Sequence, residues 1–128
     1  MGLDMYAYAV KKTPDLKDVD QNLADCEVIN GELYYWRKHH DLHGWMEDLY
    51  REKNGKAELF NCVSVRLYQG DLLNLQLAIA NKELPETTGF FFGNYPPDED
   101  TDVLDLGFIA KALAEIKKGN AVYYTSWW

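Results

Sequence analysis

The sequence predicts a single α+β domain over residues 1–128, with a mixed sheet of about four to five strands and about three helices packed on it. Three observations carry that expectation. The chain has 128 residues, 47% of them hydrophobic and 14% aromatic, a size and composition that bury one core without disulfide or metal staples. Short stretches rich in β-branched and aromatic residues recur, several alternating apolar with polar at a period of two. Between them lie longer stretches whose apolar residues return every three to four positions, the period of a helix.

The elements follow in order. "LDMYAYAV" reads as a first strand, broken by Lys11, Lys12, Thr13 and Pro14. The polar stretch 13–24, "TPDLKDVDQNLA", is a connection with room for one helical turn. Asn30-Gly31, set between Val28-Ile29 and Leu33-Tyr34-Tyr35, predicts a tight hairpin, because both residues tolerate positive φ. From Lys38 to about Glu52, Leu42, Met46 and Leu49 form a helical stripe flanked by Trp45 and Tyr50, and Asn54-Gly55 stops it. "LFNCVSVRLY" alternates as a half-buried strand. Gly70-Asp71 then offers a turn and N-cap for the apolar helix "LLNLQLAIANK", ended by Leu84-Pro85.

"GFFFG" is a buried strand or packed loop, and "NYPPDEDTD", with two prolines and four carboxylates, is a surface loop. The final helix, "VLDLGFIAKALAEIKK", places Leu106, Ile109, Leu113 and Ile116 on one stripe. It starts near Asp102 and ends at Lys117-Lys118-Gly119, in keeping with its dipole. "AVYYTSWW" closes the chain as a strand.

The formal net charge of −8 disfavours direct nucleic-acid binding, which depends on Lys and Arg displacing counterions from phosphates. It favours basic partners. Cys26 and Cys62 show no CxxC or CxxH spacing, so neither a structural zinc nor a disulfide is called for, and both are expected as small buried hydrophobes. "MGLDMYAYAV" has no basic n-region or long apolar h-region, and no run approaches ~18 apolar residues, so a signal peptide and a membrane span are not expected. A cytoplasmic protein without a cofactor is the expectation.

With these segments laid out, the chain resembles a family of small phage and prophage proteins, some labelled phosphoglycerate kinase. The resemblance rests on an opening "MGLDMY", then "YWRK" leading into a helix with "LHGW", then "GFFFG" preceded by "LPETT", and a C-terminal "YYTSW". It implies a shared fold and a bacterial host cell, and it brings no activity with it. Kinase chemistry is excluded, because 128 residues cannot supply a two-domain kinase and no GxxxxGK loop is present. Trp36, Arg37, Lys38, His43, Trp45, Gly89 to Gly93, Ser126 and Trp127 fall on the family motifs, whereas His39 and His40 depart from them.

The histidines invite a metal reading, since His39 and His43 are four apart on one helix face, but the Glu of HExxH and a third ligand are missing. His39 and His40 are therefore expected to be incidental. Arg37, Lys38 and His43 follow a strand end and open a helix, where side chains and free N–H groups can converge on an anion; the alternative is that Arg37 pairs with a carboxylate of this chain, in the 98–102 loop, and His43 serves the core. Ser126 lacks the G-x-S-x-G elbow of a nucleophile. Asp98, Glu99, Asp100 and Asp102 lack the spacing of a calcium loop. Two adjacent indoles cannot point the same way along a strand, so Trp127 or Trp128, with Trp36 or Trp45, is expected to form an exposed patch for a partner or a second copy in a homodimer.

Two functions stay open. One is a binding protein for a host protein, basic or nucleic-acid-binding, in the manner of counter-defence. The other is a small enzyme or ligand-sequestering protein whose anion or nucleotide pocket is built from Trp36, Arg37, His43 and GFFFG with Phe91.

Overall fold

The computed structural model describes residues 2–84 and 99–128, and of 99–102 the backbone alone. The expected GFFFG segment with Phe91, and the "NYPPD" part of the acidic loop, lie outside the described residues. Within them the chain runs β1 (Asp4–Lys11), a 3₁₀ turn (Leu23–Asp25), β2 (Val28–Arg37), α1 (His40–Glu52), β3 (Ser64–Leu67), α2 (Gln69–Ala80), α3 (Glu99–Lys117) and β4 (Asn120–Trp127). The strands form one sheet in the order β2-β1-β4-β3. The α+β class therefore holds with four strands and three helices. Among the described residues every strand pair is antiparallel, where a mixed sheet was expected.

The Asn30-Gly31 pair makes no hairpin. Both residues have positive φ, 58° and 74°, yet they sit inside the continuous strand β2. From Ala7 to Val10 on β1, the paired residues on β2 run from Tyr34 to Val28, with register shifts on either side of Tyr8. The left-handed pair absorbs the extra β2 residues as a bulge, which bends the edge strand.

All three helices pack on one face of the sheet. Leu42, Met46, Leu49 and Tyr50 of α1, Leu72, Leu75 and Ile79 of α2, and Phe108, Ile109 and Ala112 of α3 bury against Met5, Ala7, Val65, Leu67, Val122 and Tyr124 of the strands. Each such large apolar side chain stabilises the fold by about 1.5–3 kcal/mol when fully buried. Of the expected α3 stripe, Ile109 is buried and Leu113 and Ile116 pack against the core, but at its start Asp105 and Phe108 face inward while Leu106 is 37% exposed. A buried carboxylate holds the place where the pattern suggested a leucine.

Helix ends follow local chemistry. At the end of α1, Gly55 N–H donates to the Tyr50 carbonyl and Asn54 N–H to the Arg51 carbonyl, with Asn54 at φ 70°. It is therefore asparagine that takes the left-handed position. Gly55 is needed for another reason, since a Cβ there would lie 2.3 Å from the Tyr50 ring. α2 starts at Gln69, two residues before the expected cap Asp71: the Asp71 carboxylate, in its first turn, accepts from Tyr68 N–H at 2.9 Å and from Lys53 Nζ at 2.7 Å.

Among the described residues, the second face of the sheet is covered only in part. Residues 12–27 arch from β1 across one end of it, where Leu16, Leu23 and Cys26 pack on Val10, Ala121 and Tyr123. The arch also lies along the edge of β3 through a Val19–Val65 bridge, which protects that edge from pairing with other chains. β3 is shorter than expected, because Phe60 to Val63 leave the sheet and Cys62 takes a positive φ of 60°. Both cysteines are free; Cys26 is half-buried and Cys62 exposed, not buried as expected. No helix among the described residues is long and apolar enough to cross a membrane.

Candidate functional site

The β2-to-α1 junction splits its residues between core and surface. Trp36 and Tyr34 point toward the helices and Tyr35 and Arg37 away from them, as alternation along a strand requires. Lys38 then takes a positive φ of 59°, and its N–H donates to the Leu3 carbonyl at 2.8 Å. That turn carries His39 inward at the start of α1. There Asp105 of α3 accepts two hydrogen bonds, one on each carboxylate oxygen: from Trp36 Nε1–H at 3.0 Å and from His39 Nε2–H at 2.6 Å. His39 and Asp105 are both buried. Trp36 also meets Phe108 edge-on, with ring centroids 4.7 Å apart. A carboxylate can occupy this interior only because both its oxygens are paired.

A second buried relay lies beside the first. The Ser126 hydroxyl bonds to the Tyr124 phenol, and Tyr124 Oη lies 2.7 Å from His43 Nδ1. If Ser126 donates, the Tyr124 proton is left for His43 Nδ1, and the neutral imidazole carries its hydrogen on Nε2. Burial drives the His43 pKa down to about 4, with the Phe60 carbonyl opposing the shift, and burial pushes the Tyr124 phenol well up. Phe60 stacks near both rings, 4.9 Å from His43 and 6.0 Å from Tyr124 by centroid. His43 is therefore a neutral core histidine near pH 7. Among the described residues, the partner of the Ser126 hydroxyl is the buried Tyr124 phenol, not a base that would make it a nucleophile.

The open face of the sheet is different in kind. Residues directly opposite in antiparallel strands share a face, so the register gives three rows across it: Arg37, Asp4 and Trp127; Tyr35, Tyr6 and Thr125; Glu32, Tyr8 and Tyr123. The arch covers Tyr123 and leaves the rest accessible. Tyr6 and Tyr8 stack with centroids 6.2 Å apart, and Tyr6 meets Tyr35 at 5.3 Å. Trp127 is 62% and Tyr35 44% exposed. The Tyr35 hydroxyl donates to Asp4 Oδ1 at 2.6 Å, a bond that raises its pKa. Beside these rings runs a groove of about 710 Å³, with Tyr6, Tyr8, Thr125 and Trp127 on its floor and Asp20 to Ala24 as one wall.

The expected site residues are thus divided. Trp36, His43 and Ser126 belong to the core, Trp45 packs half-buried against it, and Lys38 is a left-handed turn residue. Arg37 lies at the surface, its side chain 65% exposed and its Nε 4.0 Å from Asp4. Among the described residues its partner is Asp4; the side chains of 98–102, where the alternative reading placed a partner, lie outside the described residues. Neither Arg37 nor His43 lines the groove. The expected patch of a terminal indole with Trp36 or Trp45 is not formed: Trp127 is exposed, but Trp36 is buried and Trp45 packs against the core, Trp128 turns inward to donate from Nε1 to the Phe60 carbonyl at 2.9 Å, and the rings beside Trp127 are tyrosines. His39, set aside as incidental, holds the buried carboxylate. Asp105 carries no local sequence signal beyond an acidic residue in an otherwise apolar stripe. Among the described residues, no cluster of three or more His, Cys, Asp or Glu side chains is placed to hold a metal ion.

Comparison with protein-family models, with curated proteins and with solved structures finds no match to this chain.

Proposed function

We propose that this protein acts by binding a protein partner, not by catalysis, and that the contact is made by the open face of its sheet. The observation that carries this reading is the strip formed by Tyr6, Tyr8, Tyr35 and Trp127, accessible on a face that no described helix covers. Aromatic side chains presented together at a surface suit them to an interface, where rigid rings give much contact area at low entropic cost. The groups able to do acid–base chemistry, His39, His43 and Asp105, are buried.

In the setting that the phage and prophage resemblance implies, the partner is a host protein in the bacterial cytoplasm. The net charge of −8 makes a basic or nucleic-acid-binding protein the favoured target, occupied in the manner of counter-defence. An anion pocket at the junction has less support, because Arg37 faces outward while Trp36 and His43 face the core.

Photocrosslinking in living cells tests the reading. With p-benzoylphenylalanine in place of Trp127 or Tyr35, a discrete protein adduct is expected. The same residue in place of Leu77, exposed on α2, is expected to give none. Equal adducts from all three positions, or none from the open face, would end the proposal.

A further inference from the structure

We infer that the open face takes arginine side chains of an extended partner segment, an inference that rests on the binding role proposed above. Three features of the face point to that chemistry.

The first is charge. Asp4 and Glu32 stand at either end of the tyrosine strip, in the rows of Trp127 and Tyr8, and both act on the Tyr6 phenol to raise its pKa, after burial. Two cations belong to these rows. Arg66 of β3, opposite Tyr123, is buried and lies over the Tyr68 ring, while Arg37 meets Asp4 only at 4.0 Å with most of its side chain in solvent. A cation arriving from a partner can displace such a contact, since exposed pairs at this range are worth little. The same carboxylates oppose a phosphate backbone, so nucleic acid is not the occupant. They also oppose a second copy docking by this same face.

The second feature is a contrast within the molecule. Elsewhere the fold places its own cations over tyrosine rings: Lys53 and Arg66 over Tyr68 at 4.6 and 4.5 Å, Arg51 over Tyr50 at 5.2 Å, and Lys111 over Tyr34 at 5.5 Å. Among the described residues, no lysine or arginine lies over Tyr6, Tyr8, Tyr35 or Trp127. Their faces are left for a cation from outside. Arginine suits them better than lysine, because a planar guanidinium stacks on a ring while its edge forks onto a carboxylate.

The third feature is spacing. Successive rows of the sheet lie two residues apart, roughly 6.6–6.8 Å, and the Tyr6 and Tyr8 centroids are 6.2 Å apart. A segment lying extended on the face repeats its side chains at the same interval. Arginines at alternate positions, Arg-x-Arg, then meet Tyr6 with Asp4 and Tyr8 with Glu32.

The test is an NMR titration of the isotope-labelled full chain with a peptide of alternating threonine and arginine, and with the same peptide carrying citrulline, which keeps the shape and loses the charge. The arginine peptide is expected to shift the amides of Tyr6, Tyr8 and Tyr35 and the Trp127 indole. The citrulline peptide is expected to bind at least about tenfold more weakly, the scale of one lost charge-assisted contact. Glu32→Gln and Tyr6→Ser are expected to weaken the arginine peptide several-fold, and Tyr6→Phe, which keeps the ring, to bind as the parent does. Dispersed spectra of each variant establish that it is folded. Equal binding of the two peptides, or no open-face shifts from either, overturns the arginine inference. The broader binding role stands in those cases if the Trp127 and Tyr35 crosslinks persist, and falls with it if they do not. Shifts that appear on raising the protein concentration without peptide point to a second copy and overturn the inference as well.

Discussion

The two faces of the sheet use aromatic residues in opposite ways. Toward the helices, Trp36, Tyr124 and Phe108 are buried, and the polar atoms among them are matched: the Trp36 indole to Asp105, the Tyr124 phenol to His43 and Ser126. Away from the helices, Tyr35 and Trp127 are exposed and Tyr6 and Tyr8 half-buried. The rim carboxylate Asp4 accepts from the Tyr35 hydroxyl. The same strands build both faces, since alternation sends each neighbouring residue to the other side. Histidine and carboxylate, which in a sequence suggest chemistry, here hold the fold together. The tyrosines, which suggest core, are left at the surface. If that division is right, substitutions on the helix face cost stability, while those on the open face cost binding alone.

The largest effect is expected at Asp105. Asp105→Leu removes both acceptors at once and strands the Trp36 indole N–H and the His39 imidazole in the interior. Breaking a buried pair in this way costs about 3–5 kcal/mol. Asp105→Asn keeps an acceptor for one of the two donors, at a smaller loss of about 1–2 kcal/mol. Urea unfolding near pH 7 gives both values. A loss below about 1 kcal/mol for the leucine variant would show that the cluster is not structural.

His43 gives the next effect and a pH signature. Its folded pKa is near 4, below the value of about 6.5 expected when unfolded. The folded state therefore favours the neutral imidazole, while the unfolded chain takes up a proton first as pH falls. Stability is complete above about pH 6.5 and is lost through the window down to about pH 4, by up to about 3 kcal/mol in total. His43→Gln removes that titration and flattens the stability profile between about pH 5 and 6.5, above the range where carboxylates titrate. An unchanged slope in the variant would assign the acid sensitivity elsewhere.

Much of the helix face was legible in the sequence, and its polar centre was not. The period of Leu42, Met46 and Leu49 identifies α1 and its inner side, because apolar spacing alone determines which face a helix buries. Asp105 defeats the same logic. A carboxylate is read as solvent-facing, so the α3 stripe was expected at Leu106, and only contact with Trp36 and His39, distant in the chain, makes an inward aspartate tolerable. Asn30-Gly31 misled for a related reason. Its local preference for positive φ is realised, but that preference serves a bulge as well as a turn, and long-range pairing with β1 decides between them. That one indole of the Trp127-Trp128 pair is exposed was legible; that it is Trp127, with Tyr6, Tyr8 and Tyr35 as companions, was not, since strand pairing alone assembles them.

Gly55 tests the packing of the helix face at a single atom. Gly55→Ala sets a methyl carbon within 2.3 Å of the Tyr50 ring, and that ring cannot simply swing away. Its hydroxyl donates to Asp20 and accepts from Ala57 N–H. A loss of about 1–3 kcal/mol is expected from overpacking. Tyr50→Phe in the same background releases the hydroxyl and lets the ring shift, so the double variant is expected to lose less than the sum of its parts. Strict additivity in urea unfolding would show that the ring is not held by those bonds.

The smallest stability effect is expected on the open face, and there the smallness is the point. Trp127→Ser and Tyr35→Thr remove rings that rest mainly in water. Each is expected to change unfolding free energy by no more than about 0.5 kcal/mol, as surface substitutions generally do. Thr125 sits two positions before Trp127 on β4, and its hydroxyl donates to the Val63 carbonyl at 2.8 Å; Thr125→Val is expected to cost about 1 kcal/mol through that lost bond. A structural role for the tyrosine strip would reverse this ranking, with the ring substitutions costing more than Thr125→Val. Exposed aromatic rings that add nothing to stability have another use, and the crosslinks from Trp127 and Tyr35 measure whether that use is a partner.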